Sequence, residues 1–150
     1  MGIILVAGIV AFYFFNKKKM EKTINVRADS REISIDMPQG YFLSWFATTQ
    51  AEFRITATLK DECKTYFSES KASTNIDPPL AQGAGTMLGK KLKLLIDIPQ
   101  SLKIRMETNK NFVEVDGVEI ARCYTWLIED QNDNDFNDLH LSLIGWRKKG

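Results

Sequence analysis

The chain has 150 residues, of which 44% are hydrophobic and 26% are charged, and its net charge is +1 at pH 7. This length suits one domain around a single core, and the hydrophobic content is ordinary for a globular protein. A nearly neutral chain without a strongly basic face argues against nucleic acid as a partner.

The first nineteen residues form an element of their own. Gly2 to Phe15 is an uninterrupted apolar run that Asn16 and three lysines follow. As a helix this run covers about 21 Å, less than the ~30 Å hydrocarbon core, and lysine snorkelling and bilayer thinning narrow the gap. We predict that residues 1–19 form a membrane anchor and associate with the bilayer through residues 2–15, with the lysines on the cytoplasmic side. A truncated secretory signal, and hence a secreted or cell-surface protein, stays open as the alternative.

Residues 20–150 are predicted to form one domain, in which apolar and polar residues alternate with a period of two. Phe53–Lys60 and Leu92–Ile98 are examples. Such alternation is typical of half-buried strands in antiparallel sheets. Hairpin turns are predicted at Lys110–Asn111 and Asp116–Gly117, and an irregular stretch over Lys71–Lys90. About nine short strands result, which favours an all-β antiparallel β-sandwich preceded by the short apolar helix.

Several residue types that often carry function are expected to be structural here. Cys63 and Cys123 are predicted to be buried thiols rather than a disulfide. His140, the single histidine, is expected on the polar face of its strand, without a catalytic partner. Each tryptophan lies inside an apolar strand and is expected in the core or at a subunit interface: Trp45, Trp126 and Trp146.

The densest charge lies near the end of the chain, where residues 129–138 read EDQNDNDFND. Carboxylates packed this closely repel one another, and a bound cation would relieve the repulsion. The donors are oxygens of Asp, Asn and Glu with no Cys or His among them, which indicates calcium rather than zinc. The simpler alternative is a solvated acidic turn, although an ordinary turn needs only one or two polar residues.

The spacing does not fit an EF-hand. Counted from Asp133, the sixth position is Asp138, where that loop needs glycine for its sharp turn. The twelfth position is Ile144, which cannot bind a cation, and the flanking residues alternate like strands rather than helices. A different calcium loop is therefore required.

The string E-D-x-x-D-N-D-F-N-D, followed by an apolar strand ending in Trp146 and by Gly150, closely resembles calcium-mediated bacterial lectins. These fucose- and mannose-binding lectins use two adjacent calcium ions. Weaker similarity in the same order lies at Ile33–Pro38, Phe42–Ala47 and Gln82–Ile98. The resemblance implies a non-enzymatic carbohydrate-binding domain that forms a homodimer or a higher homo-oligomer.

The resemblance also implies which residues bind each ligand. The first calcium would be held by Glu129, Asp133, Asp135 and Asp138. The second would be held by Asp135, Asn137, Asp138, Thr48 and the carboxylate of Gly150 from a neighbouring subunit. The sugar would meet Thr48, Thr49, Gln50, Asp130, Asp133, Asp135 and Asp138.

Two departures from the family pattern fall on the second ion. Thr48 stands where the family has a ligating Asn, and the tail Arg147–Gly150 is longer and more basic than the family's usual ending. They leave an alternative open, namely a calcium-stabilised structural or adhesion module without a sugar site. A glycoside hydrolase is argued against, because carboxylates neutralised by calcium are poor general acids.

Overall fold

The computed structural model describes residues 29–150, so the predicted anchor lies outside the described residues. Within the described part, no helix has the length and apolar character needed to cross a membrane. The strands are β1 Ser30–Ile35, β2 Phe42–Thr49, β3 Ala51–Lys60, β4 Thr65–Ser73, β5 Ala81–Thr86, β6 Leu92–Asp97, β7 Arg105–Val115, β8 Val118–Glu129 and β9 Leu139–Trp146.

The strands form two antiparallel sheets, as the alternating sequence predicted. One sheet has the order β1-β6-β3-β4 and the other has the order β5-β2-β9-β8-β7. β9 therefore occupies the middle of the five-stranded sheet, where Leu141 pairs with Ala47 of β2 and with Trp126 of β8. The predicted all-β sandwich of about nine strands is confirmed.

The core lies between the two sheets and is built by the apolar half of each alternating strand. Leu43 and Leu141 from one sheet, and Leu59 and Leu94 from the other, are all 0% exposed. Burial of one such side chain is worth about 1.5–3 kcal/mol. The period of two thus fixes which side chains hold the sheets together.

Two predicted boundaries were wrong. Lys110–Asn111 is not a turn, because β7 continues through it and pairs with Tyr124 and Cys123. The stretch Lys71–Lys90 is not wholly irregular, since it contains the end of β4 and all of β5. The Asp116–Gly117 turn is confirmed, with φ of 51° and 77°, as a type I′ turn requires.

The predictions for individual Trp, Cys and His residues were also only partly correct. Trp45 and Trp126 are buried as predicted, whereas Trp146 is 42% exposed. Cys63 is exposed and Cys123 partly buried, both as free thiols, so the prediction of two buried thiols was wrong for Cys63. His140 is partly buried, and its Nε2 lies 2.9 Å from Ser142 Oγ.

Three connections meet at one end of the sandwich and position the candidate site. They are the β2–β3 turn at Gln50, the β6–β7 loop over 98–104 and the β8–β9 loop over 130–138. The backbone amide of Gln50 donates to the Asp138 carbonyl at 3.1 Å, and Ser101 Oγ donates to the Asp130 carbonyl at 2.8 Å. The strand order thus brings together segments that are far apart in the sequence.

Candidate functional site

Four of the predicted metal ligands lie together in the β8–β9 connection. One carboxylate oxygen from each of Glu129, Asp133, Asp135 and Asp138 can be chosen so that all lie within 4.8 Å of one another. Calcium binds oxygen at about 2.3–2.6 Å, so ligands around one ion lie up to roughly 5 Å apart. The cluster therefore has the size of a calcium shell.

The four carboxylates differ in how firmly the fold holds them. Glu129 ends β8 and is 0% exposed, and Asp138 directly precedes β9 and is 7% exposed. Asp133 and Asp135 lie in the exposed middle of the loop. Two of the carboxylates are thus fixed by the sheet, and two depend on the conformation of the loop.

Backbone amides orient the two fixed carboxylates. Glu129 accepts hydrogen bonds from the amides of Gln131 at 2.9 Å and Phe136 at 3.2 Å. Asp138 Oδ2 accepts one from the Asp130 amide at 2.7 Å. These bonds join the start of the loop to its end. The two carboxylates therefore stabilise the conformation of the loop as well as giving it negative charge.

Arg105, which the sequence reading missed, braces the exposed half of the loop. Its guanidinium donates to Asn134 Oδ1 and to the Gln131 carbonyl, the latter at 2.9 Å, and lies 5.1 Å from the centre of the Phe136 ring. Asn134 and Phe136 both have positive φ, at 62° and 51°. For a bulky residue such as Phe this conformation is strained and must be held by its surroundings. Arg105 lies beside the acidic loop because it pairs with Glu129 across β7 and β8.

Of the other predicted site residues, some line a basin at the acidic loop and others do not. Gln50, Asp130 and Asn137 line the same basin as Asp133, Asp135 and Asp138, a basin of about 390 Å³. Glu52 and Thr74 also line it and were not predicted. Asp130, which the resemblance implies as a sugar contact, lines the basin but is only 5% exposed.

Thr48 and Thr49 alternate along β2 and occupy opposite faces of the sheet. Thr48 is half-buried and pairs with His140, whereas Thr49 is 0% exposed and pairs with Leu139, next to Asp138. Thr49 Oγ1 is buried and has no hydrogen-bond partner among the described residues. An unpaired buried hydroxyl costs about 1–3 kcal/mol.

Gly150 lies far from the acidic loop of its own chain. β9 begins at Leu139 beside the loop and ends at Trp146, a span of about 24 Å for eight residues, and the tail follows from that far end. There Lys149 Nζ lies 5.4 Å from the centre of the Phe42 ring. A role for the Gly150 carboxylate in this site therefore requires a second copy of the chain, and it stays a prediction.

Burial and crowding oppose ionisation of two carboxyls in the loop. Burial raises the pKa of both Asp130 and Asp138 above the ordinary value of 3.8. The nearby charges of Glu129, Asp133 and Asp135 raise the pKa of Asp130 further. A divalent cation would reverse this effect, because it favours the ionised forms.

These shifts predict how pH affects the calcium-free protein. A carboxyl with a raised pKa in the folded state contributes stability at low pH that is lost as pH rises through that raised pKa. The window therefore lies above 3.8, and calcium, which binds only the ionised carboxylates, should stabilise most above it. We expect the rise in Tm on adding calcium to be larger near about pH 7 than near about pH 4, where carboxyls with a raised pKa are largely protonated. Equal rises would contradict this linkage.

Several solved structures have this fold. The high-affinity mannose-binding lectin of Ralstonia solanacearum superposes with a TM-score of 0.58 and 16% identity, over 77% of this chain and 96% of that one. The C-terminal domain of a Burkholderia cenocepacia lectin gives 0.60 and 16%, over 80% and 99%. A Chromobacterium violaceum lectin, in complex with α-methyl-fucoside, gives 0.57 and 11%, over 77% and 96%.

The chain therefore has the fold of bacterial mannose- and fucose-binding lectins, as the sequence resemblance implied. No protein-family model matches the sequence, and no curated protein matches it. At these identities the likeness establishes the fold, and the ligands of this chain must be argued from its own residues.

Proposed function

We propose that this domain binds carbohydrate of the fucose or mannose type, without catalysis, through two adjacent calcium ions. The observation that carries the proposal is the cluster of four carboxylates within 4.8 Å, at the end of a sandwich that lectins share. The basin around the cluster is open and polar, which suits a sugar better than an apolar ligand.

The first ion would be held by Glu129, Asp133, Asp135 and Asp138, whose four negative charges balance two divalent cations. The second would lie towards Asn137, and would share Asp135 and Asp138 with the first. Shared carboxylates offset the mutual repulsion of two close cations. Thr48 and the Gly150 carboxylate of a second copy are the further donors we propose for this ion.

Bound calcium supplies open coordination positions that two neighbouring hydroxyls of a monosaccharide would fill in place of water. Gln50 lines the basin and offers an amide that can donate to and accept from the sugar. Asp130 also lines the basin, with Asp133 and Asp135 as further acceptors. Thr48 and Thr49 are the further sugar contacts we propose, although they lie on opposite faces of β2 and neither is among the residues that line the basin.

Retention on mannose-agarose and fucose-agarose in calcium, followed by elution with EDTA, tests the proposal. We expect retention on at least one of the two resins and release by chelation. Stabilisation by calcium without retention on either resin would instead support the alternative, a calcium-stabilised structural or adhesion module.

We also propose that the chain assembles as a dimer or higher homo-oligomer in which Gly150 of one copy completes the site of another. Phe46, Leu127 and Trp146, all partly exposed, lie on the outer face of the five-stranded sheet and offer apolar surface for such contact. Membrane association through residues 2–15, or secretion in the alternative, stays a prediction.

Extending the C-terminus tests the role of Gly150. A C-terminal tag should abolish calcium-dependent sugar retention while Tm in EDTA stays unchanged, because the terminal carboxylate is displaced but the sandwich is not. The control is an N-terminal tag replacing residues 1–19, which should leave retention intact. Unchanged sugar affinity in the C-terminally tagged protein would show that this carboxylate does not complete the site.

A further inference from the structure

The end of the sandwich opposite the acidic loop carries a connection whose backbone is held by side chains. Residues 87–91 join β5 to β6, and the β3–β4 turn over 61–64 packs against them. Asp61, which is 8% exposed, accepts the Gly89 amide at 2.8 Å. Glu62 accepts the next two amides of the loop at 2.5 and 2.9 Å. Two carboxylates therefore fix the conformation of this loop.

The fixed loop presents one leucine to solvent. Leu88 is 51% exposed, although its neighbours Met87 and Gly89 are buried. Its amide donates to Tyr66 Oη at 2.9 Å, and its carbonyl accepts a hydrogen bond from Gln39 Nε2 at 2.7 Å. A single exposed leucine is ordinary in itself, so its surroundings decide what this one can do.

The surroundings of this leucine are rich in lysine. Two lysines flank the β3–β4 turn and three lie in the 87–91 loop or early in β6, namely Lys60, Lys64, Lys90, Lys91 and Lys93. The pairing of β3 with β6 brings them together and places Lys60 directly opposite Lys93, an arrangement that is unfavourable for like charges. Lys60, Lys91 and Lys93 line a cleft of about 360 Å³. We call Leu88 and these five lysines the lysine surface.

The carboxylates at the lysine surface are already engaged. Asp61 and Glu62 accept backbone amides, and Glu32 pairs with Lys93. Within residues 29–150, the ammonium groups of Lys90 and Lys91 have no ion-pair partner. The lysine surface therefore combines uncompensated positive charge with one projecting apolar side chain.

We propose that the lysine surface docks on an anionic lipid bilayer. Leu88 would enter the apolar layer while the lysines meet the lipid phosphates, because an anionic bilayer has negative headgroups above hydrocarbon. A soluble polyanion such as a sulfated polysaccharide matches the charge but offers no apolar layer to the leucine. The combination of the two features therefore favours a membrane.

Docking by this surface also orients the proposed sugar site. β3 begins at Ala51 beside the acidic loop and ends at Lys60, a span of about 33 Å for ten residues. A bilayer at the lysine surface would leave the acidic loop at the far side, open to glycans in solution. The negative charge of the acidic loop would then lie several Debye lengths from the anionic lipids.

A fluorophore on Cys63 tests the proposal in the full-length chain. Cys63 is exposed in the β3–β4 turn, and Cys123→Ser leaves it as the only thiol. The vesicles contain phosphatidylcholine with or without phosphatidylglycerol, and both kinds carry a lipid-borne quencher. We expect quenching only with phosphatidylglycerol, and its loss at high salt because salt screens the lysines. This signal reports which end of the domain meets lipid, whether or not residues 2–15 associate with the bilayer.

A second label and three variants make the test specific. The second label is placed in the acidic loop by Asn132→Cys, in a chain with both native cysteines changed to serine, and it should stay unquenched. Leu88→Ser and Lys90→Glu should each lower the ratio of quenched to unquenched Cys63 label about fivefold or more, because one lysine near an anionic surface strengthens binding about fivefold. Leu102→Ser is the control, since Leu102 is 90% exposed at the acidic end, and it should change nothing.

Four outcomes overturn the proposal. They are no quenching at Cys63, equal quenching with and without phosphatidylglycerol, equal quenching of the two labels, and equal effects of Leu88→Ser and Leu102→Ser. If the first outcome is accompanied by binding to dextran sulfate, the lysine surface belongs to a soluble polyanion instead. None of these outcomes bears on the proposed sugar site, which the resins test separately.

Discussion

Chelation of calcium should lower the melting temperature of this domain by about 10 °C or more. A ligand present at ~1,000 times its Kd stabilises the folded state by about 4 kcal/mol, and in a domain of this size each kcal/mol shifts Tm by a few degrees. The physical source is the set of four carboxylates within 4.8 Å, two of them nearly excluded from water, whose repulsion is unrelieved without the ion.

Scanning calorimetry of the same preparation in EDTA, in excess calcium and in excess magnesium measures this effect. Calcium should restore the higher Tm and magnesium should restore little of it, because magnesium demands a smaller octahedral shell and gives up water reluctantly. Identical melting curves with and without chelator would exclude calcium from the acidic loop.

Asp135→Asn should lose calcium and sugar binding without loss of the fold. Asp135 is exposed in the middle of the loop and is proposed to bridge both ions, so removal of its charge weakens both. We expect a loss of sugar affinity on the order of 100-fold or more, since outer partners of metal ligands already account for about 10–100-fold. Its Tm in EDTA should equal or exceed that of the unmodified protein, because one of the four repelling charges is removed.

Two further variants make the comparison specific. Glu129→Gln should lose less calcium by elemental analysis but more stability in EDTA, because the buried Glu129 accepts the amides of Gln131 and Phe136. Asp116→Asn, in the exposed β7–β8 turn with φ of 51°, is the control, since Asn tolerates positive φ and lies outside the acidic loop. Equal calcium losses in Asp135→Asn and Glu129→Gln would argue against two ions sharing one cage.

Much of this architecture follows from local patterns in the sequence. Strands such as β3 and β6 can be predicted because residues facing the opposite sheet alternate with others, and the acidic loop can be predicted because its carboxylates are close in sequence. β5 was missed because its glycines hide the alternation. At Gly83 a Cβ would lie 2.8 Å from Trp45 Cζ2, so packing of the indole against this position requires glycine.

The parts of the site that escaped prediction depend on pairing between distant strands. Arg105 reaches the loop because it pairs with Glu129 across β7 and β8, and Thr74 reaches the basin from the end of β4. The turn predicted at Lys110–Asn111 failed for a related reason. β7 lies at the edge of its sheet, where polar residues are tolerated inside a strand.

The central place of β9 in its sheet has a consequence for how the protein folds. β9 follows every other strand in chain order, yet β2 and β8 can join only through it. Contacts between such distant segments form slowly, because loop closure costs entropy before pairing compensates for it. Gln50 likewise reaches Asp138 only when β9 has inserted beside β2. The time course of luminescence from a lanthanide bound at the acidic loop during refolding would therefore test whether the four carboxylates assemble before or after β9 pairs with β2.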